Sequence, residues 1–158
     1  MEATQTIRKI LTASTFDVFE KMFFIFLEMS ATGKRQYDLA TSIRFAGPCN
    51  GEMRLCFSDS LVLAMVENML SVDQHDITQA MKEDCAKEAV NMIGGQFLRT
   101  LDSTKVFHMT VPVCLPDTSV AQRGSPGQDL EQCLNFESEK GHLYLLASLK
   151  GYALDKSN

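Results

Sequence analysis

Two runs of alternating side chains in residues 36–57 constrain the fold more than any other part of the sequence. In the first run, residues 36–45, every second position is apolar, aromatic or Thr, and Met53, Leu55 and Phe57 resume the alternation. The intervening GPCNG segment has the Gly, Pro and Asn content of a turn. Because a two-residue period places alternate side chains on opposite faces of a strand, the runs are predicted to form a half-buried β-hairpin.

Helical periodicity flanks this hairpin on both sides. Before it, apolar residues recur at three- and four-residue steps through residues 5–29, which predicts one long helix whose buried face includes Phe26. After it, a serine precedes LVLAMVENML as the N-cap of a second helix. A third helix is predicted to begin near Asp76 or Thr78 and to end at about Thr100.

The second half of the chain is predicted to contribute three more strands. VFHMTVPVCL alternates from Val106, but Pro112 cannot donate to a ladder and favours an edge or irregular position. A surface loop rich in Gly, Pro and polar residues follows, and residues 133–151 form two strands. The order of elements predicts an α+β fold, with long helices packed on a mostly antiparallel sheet in a single domain over residues 1–158.

Charge and cysteine content exclude several classes of function. The chain has 15 basic and 20 acidic residues, a net charge of −5, so nucleic acid and anionic membrane surfaces are not predicted partners. No segment has the organisation of a signal peptide or an uncharged membrane span, and we expect a cytoplasmic protein. The five cysteines include no CxxC pair, so we predict reduced thiols and no metal site.

The segment DCAKEAVNMIGGQF begins at Asp84 and divides into two faces when it is drawn as a helix. At about 100° per residue, Glu88, Asn91 and Gly95 fall within about 40° of Asp84. These four residues form one narrow polar stripe. The opposite arc is apolar, and Met92 is assigned to it and to the core.

Two interpretations of this polar stripe remain open from the residues alone. In the first, it is an ordinary solvated face, and Gly94 and Gly95 only end the helix as a C-terminal cap. In the second, it is a site, because glycine inside a helix costs up to ~1 kcal/mol relative to alanine and asparagine about half of that. The Asn91 amide can hold a water molecule, Glu88 can pair with a cation on a partner, and glycine lets a partner's backbone approach. No Ser-His, Cys-His or P-loop pattern accompanies them, so such a site is incomplete by itself.

The D-x3-E-x2-N spacing of Asp84, Glu88 and Asn91, followed by MIGG and later by Pro112, resembles the signature of the CheX, CheC and FliY chemotaxis phosphatases. The order of elements over nearly the whole chain looks most like the shorter CheX type. The resemblance implies a phosphatase that hydrolyses the aspartyl phosphate of a CheY-like response regulator by inserting the motif helix. It implies that Asn91 orients the attacking water and that Glu88 pairs with a lysine of the regulator.

The resemblance also implies that the regulator supplies both the phosphoryl group and Mg²⁺, so no cofactor of the chain's own is expected. CheX-type proteins pair as dimers, and we expect a homodimer. In FDVFEKMFF, which corresponds to a second motif of longer family members, Phe23 replaces the asparagine. A single site is therefore expected, with Glu20 as a surface or structural residue. Around the two catalytic positions, the residues predicted to contact the partner are Asp84, Lys87, Gly94 and Gly95.

Two further functions are alternatives to the phosphatase. A non-catalytic CheX-like interaction domain would bind a receiver domain or another signalling protein without hydrolysing anything, and the intact Glu88 and Asn91 disfavour it. A metal-dependent hydrolase is disfavoured because the titratable candidates are scattered along the sequence. Lys87 lies beside the polar stripe, where it either contacts a partner or solvates the face.

Overall fold

The computed structural model describes residues 2–31, 35–124 and 127–152. Within these ranges the helices are α1 Glu2–Phe23, α2 Asp59–Leu70, α3 Gln79–Leu101 and α4 Thr118–Ala121, with a 3-10 turn at Gln74–Asp76. The strands are β1 Glu28–Met29, β2 Leu39–Ala46, β3 Asn50–Phe57, β4 His108–Met109, β5 Val113–Leu115, β6 Leu130–Ser138 and β7 Gly141–Lys150.

These strands form one antiparallel sheet in the order β1-β6-β7-β3-β2-β4, with β5 also paired to β2. Helices α1, α2 and α3 pack on one face of the sheet and enclose the main core with its apolar side chains. The opposite face carries a smaller cluster that includes Tyr37, Cys56 and Tyr144. The predicted α+β fold, helices on a mostly antiparallel sheet, is confirmed. No helix among the described residues is long and apolar enough to cross a membrane.

The predicted hairpin is present, and β2 pairs with β3 from Leu39 opposite Phe57 to Phe45 opposite Gly51. The strand predicted from Val106 is instead two short strands, because the register against β2 shifts by one residue between β4 and β5. Pro112 lies in this interruption, as expected for a residue with no N–H to donate. The following surface loop contains the short helix α4, which the sequence did not predict.

The first helix ends six residues earlier than the predicted residue 29, at Phe23. Phe24 adopts the left-handed conformation, with φ of 56°, so the helical hydrogen bonding stops there. The Asn68 side-chain amide of α2 donates to the Phe23 carbonyl at 2.8 Å and satisfies that end. Beyond it the chain runs extended, and Phe26 is 72% exposed. The assignment of Phe26 to a buried helical face is therefore wrong.

Helix α3 begins after Thr78, whose hydroxyl accepts a hydrogen bond from the Met81 N–H at 3.2 Å. It continues through Gly94 and Gly95 to Leu101, so the interpretation of the glycines as a helix cap is wrong. A Cβ on Gly94 would overlap Cδ1 of Ile43 on β2. Because Gly94 has no side chain, α3 packs closely against the sheet at this point.

Gly95 has no such internal reason for being glycine. A Cβ there would lie 3.4 Å from Nη1 of Arg99 and 3.8 Å from Cε of Met109, which are ordinary contacts with flexible side chains. The two adjacent glycines therefore differ in what their missing side chains allow. The missing side chain of Gly94 lets the sheet pack closely against the helix. The missing side chain of Gly95 leaves the outer surface of the helix unobstructed.

Substitution of each glycine by alanine should change stability in opposite directions. Gly94→Ala should lower the free energy of unfolding by ~1–3 kcal/mol, because the added methyl overlaps a side chain fixed in the core. Gly95→Ala should raise it by up to ~1 kcal/mol through helix propensity. Urea denaturation followed by circular dichroism measures both values. Equal effects of the two substitutions would contradict this account of α3 packing, and Ile43→Val should restore part of the loss in Gly94→Ala.

Candidate functional site

The polar stripe of α3 lies between helix α1 and the strand segment β4–β5. On one side is Asp17 of α1, whose pKa is lowered first by its hydrogen bond from Lys21 and further by the nearby Gln96 side chain. On the other side, burial raises the pKa of the Cys114 thiol on β5, and the nearby carboxylates of Glu83 and, to a smaller extent, Asp84 add to that rise. The N-terminal half of the stripe is therefore next to β5.

Glu88 and Asn91 are half-buried on consecutive turns of this helix, and Asp84 is exposed. The position of Asn91 opposite the apolar arc predicts an exposed side chain, and the structure corrects this to partial burial. Neither the Asn91 amide nor the Glu88 carboxylate makes a hydrogen bond or ion pair with any of the described residues. The amide donor and acceptor and the carboxylate are thus available to an incoming molecule, while the surrounding helix restricts their positions.

Asp84 and Lys87 form an ion pair, with 3.6 Å between Oδ1 and Nζ. The Asp84 side chain is 78% exposed, so this pair contributes little to stability. Its effect on the site is electrostatic: Lys87 partly neutralises Asp84. Glu88, the other carboxylate of the stripe, forms no ion pair with a cation among the described residues.

Two residue assignments made from the sequence are corrected by the packing. Gly94 is buried against Ile43, so it cannot contact a partner, and its prediction as a partner-binding residue is wrong. Gly95 is half-exposed and stays on the accessible stripe. Met92 was assigned to the core but is 38% exposed, because its position about 80° from Asp84 lies at the boundary of the two faces.

The groups around the site offer no preformed nucleophile in the described chain. Burial raises the pKa of the Cys85 thiol to about 11, and the charge of Glu88 adds to this rise, so the thiol is protonated at neutral pH. No group of three or more His, Cys, Asp or Glu side chains in residues 2–31, 35–124 and 127–152 is arranged to hold a metal ion. On α1, Glu20 is exposed and Phe23 is fully buried, so no second copy of the stripe exists there.

Sequence reasoning missed two basic residues at the C-terminal end of the stripe. Arg99 is exposed on α3, and Lys105 is exposed in the loop that follows the helix. Both line a recess of about 200 Å³ that begins at Gly95. The position of Arg99 was available from the sequence, because it falls within about 20° of Glu88 at 100° per residue. Lys105 was not, because only the folded loop brings it there.

Known proteins share this fold, and a family model matches the region of the chain that contains the stripe. The family described as "Chemotaxis phosphatase CheX" matches residues 39–130, which include β2 to α4 and the whole of α3. No curated protein matches the sequence.

Solved structures with this fold include several CheX and CheC-like proteins. The chemotaxis protein CheX from Vibrio vulnificus superposes with a TM-score of 0.75 at 21% identity, covering 91% of this chain and 96% of that one. A CheC-like superfamily protein from Shewanella sp. PV-4 gives 0.72 at 21% identity, covering 92% and 97%. A chain in the CheX–CheY–BeF3–Mg²⁺ complex from Borrelia burgdorferi gives 0.73 at 18% identity, covering 90% and 96%.

At these identities the superpositions show the common fold, whereas the family match extends over more than half of the chain and contains the stripe. The two findings agree with the D-x3-E-x2-N spacing and with the position of the stripe on the surface of α3. The chain therefore belongs to the CheX family of chemotaxis phosphatases.

Proposed function

We propose that this protein is a phosphatase that hydrolyses the aspartyl phosphate of a CheY-like response regulator. The observation that carries the proposal is the pair Glu88 and Asn91, side by side on a rigid helix, with polar groups that no described residue occupies. The family supports this class of reaction, and a related CheX chain has been solved with CheY. A cytoplasmic location follows from this substrate and remains a prediction.

Asn91 is the residue proposed to orient the attacking water. A carboxamide accepts one hydrogen bond and donates another, so it can hold a water in a single orientation without changing its own charge. Phosphoryl transfer depends chiefly on alignment and charge stabilisation, so a fixed amide in line with the phosphorus and the leaving carboxylate accelerates it. Asn91 is partly buried on a packed helix, which supports such an alignment.

Glu88 is proposed to pair with a lysine of the regulator. The residue lies one turn before Asn91, about 5–6 Å away between Cβ atoms. Its carboxylate has no cation beside it among the described residues, unlike Asp84, which has Lys87. A partner ammonium that binds Glu88 is therefore not in competition with an internal ion pair. Asp84, Lys87 and Gly95 form the surrounding contact surface.

The regulator is proposed to bring the phosphoryl group and Mg²⁺ to the interface. The chain then needs neither a cofactor nor a covalent intermediate of its own. This division accounts for a site that consists of a helix surface with one amide and one uncompensated carboxylate.

Replacement of Asn91 by alanine should slow assisted dephosphorylation by a factor on the order of a hundred, through the loss of one transition-state hydrogen bond. The variant should remain folded. Glu88→Ala should weaken binding of the regulator as well as turnover. The measurement is the decay of aspartyl phosphate on receiver domains from the same genome, with Mg²⁺ and with each variant.

Asn135→Ala provides the matched control. Asn135 is also half-buried, but it lies on β6 opposite Tyr144, on the sheet face away from the three long helices. Asn135→Ala should leave the rate of assisted dephosphorylation unchanged.

If Asn91→Ala retains full activity, Asn91 has no part in the reaction. If a phosphorylated receiver binds while its decay is not accelerated, the protein is the non-catalytic interaction domain.

We also propose that the protein is a homodimer that pairs through the β1 edge of the sheet. Phe24 and Phe26 are 67% and 72% exposed beside β1 and line a groove of about 490 Å³. The same groove carries Glu28, Glu139 and Lys140. This surface carries negative charges and a positive charge beside exposed aromatic rings. A second copy related by a twofold axis can therefore place its ammonium against the carboxylates of the first.

Phe26→Glu should convert the dimer to a monomer, because it places a charge in the proposed interface. Light scattering after size-exclusion chromatography measures the mass. Val106→Glu is the control, since Val106 is 73% exposed and lies beyond α3 near β4, at the opposite end of the sheet. A monomeric wild-type protein at micromolar concentration, or a dimer that survives Phe26→Glu, would exclude this interface.

A further inference from the structure

Charge changes sign along the accessible face of α3. The N-terminal half carries Glu83, Asp84 and Glu88 against Lys87, which pairs with Asp84, and is net negative, whereas Arg99 stands at the C-terminal end and Lys105 lies in the following loop. Arg99 is about 12 Å beyond Asn91 along the helix axis, at 1.5 Å per residue. A partner that covers Asn91 and extends in this direction therefore meets an acidic region on one side of it and a basic region on the other.

The basic region has the form of a shallow recess. Gly95 leaves its entrance low, and a Cβ there would lie 3.4 Å from Nη1 of Arg99, so the guanidinium extends back toward Asn91. The recess has a volume of about 200 Å³, and Phe107 and Met109 also line it. It is thus continuous with the stripe and has room for a side chain of the partner.

The cations of this recess are not fully compensated within the described chain. The Arg99 guanidinium makes no hydrogen bond or ion pair with the described residues. The one carboxylate in the recess, Asp102, accepts hydrogen bonds from the Thr104 N–H and hydroxyl at 3.0 and 2.7 Å. These bonds are the main cause of its lowered pKa, with a smaller effect from Lys105. Two positive charges and one negative charge leave the recess net positive.

We propose that Arg99 and Lys105 bind an acidic side chain of the same receiver domain whose phosphorylated aspartate meets Asn91. The inference rests on the proposed function. The Arg99 guanidinium lies beside Gly95, one helical turn beyond Asn91, and acts as a specificity-determining residue that contacts the receiver outside the reacting atoms. With Glu88 binding a cation and Arg99 an anion, the helix accepts the receiver in one direction only. A receiver that lacks the acidic side chain opposite Arg99 is discriminated against.

The test combines binding with catalysis. Receiver domains from the same genome, loaded with beryllofluoride and Mg²⁺, are titrated with the protein at two salt concentrations, and phosphate release is followed in parallel. Arg99→Glu and Lys105→Glu should each raise the dissociation constant about tenfold and flatten its salt dependence, because charges at the rim of an interface act through electrostatic attraction. The maximal rate at saturating protein should stay within about twofold, since both cations are proposed to bind the receiver surface and not the phosphoryl group.

Arg123→Glu is the matched control. It makes the same change in net charge on an exposed residue next to α4, over the opposite sheet face. It should leave the dissociation constant unchanged. Gly95→Ala should also weaken binding, although it is expected to stabilise the fold.

The outcomes separate this inference from the proposed function. If a receiver binds and is hydrolysed but Arg99→Glu and Lys105→Glu bind it as tightly as the wild type, the recess is not part of the interface. If a receiver binds without hydrolysis and both variants bind it weakly, the recess is confirmed and the phosphatase is excluded. If no loaded receiver binds at all, both proposals fail.

Discussion

The close approach of α3 to strand β2 at Gly94 determines how the rest of the site is presented. A Cβ at this position would overlap Cδ1 of Ile43, so glycine lets the helix lie against the sheet without displacing that side chain. Together with the buried apolar arc of α3, this contact orients the helix on the sheet. With Gly94 against β2 and Phe97 in the core, the opposite arc, with Glu88, Asn91 and Gly95, is turned toward the surface.

The site uses the rigidity of a long packed helix instead of a pocket. Helix α3 is held by α1, α2 and β2, and its buried arc is a continuous apolar surface. A mobile loop would lose conformational entropy if it positioned a water, whereas the backbone of Asn91, the residue proposed for this role, is already ordered in the helix. Positioning chemistry that depends on geometry more than on acid–base strength is suited to such a support. This also fits the protonated state of the nearest thiol, Cys85.

The structure separates surfaces with different chemistry around one core. The accessible face of α3 is polar, with acidic and basic ends, while the segment before β1 exposes Phe24 and Phe26 at the far edge of the sheet. Because β1 and β4 lie at opposite ends of the strand order, one copy of the chain can occupy the β1 edge while a receiver covers α3. In this arrangement the two proposed interactions do not compete for the same residues.

Local patterns in the sequence determined most of the fold and predicted the candidate site. Alternation in residues 36–57 predicted the hairpin, helical periodicity predicted α3 to within one residue of its end, and the spacing of Asp84, Glu88 and Asn91 located the stripe. These features depend on side-chain periods of two or 3.6 residues, which can be recognised within a short segment of the sequence. Tertiary structure decided the rest. Gly94 and Gly95 are chemically identical, and only the position of Ile43 makes one a packing residue and leaves the other on the surface. The exposure of Phe26 and the place of Lys105 beside Arg99 likewise depend on where the chain leaves a helix, which non-local contacts such as that of Asn68 with Phe23 determine.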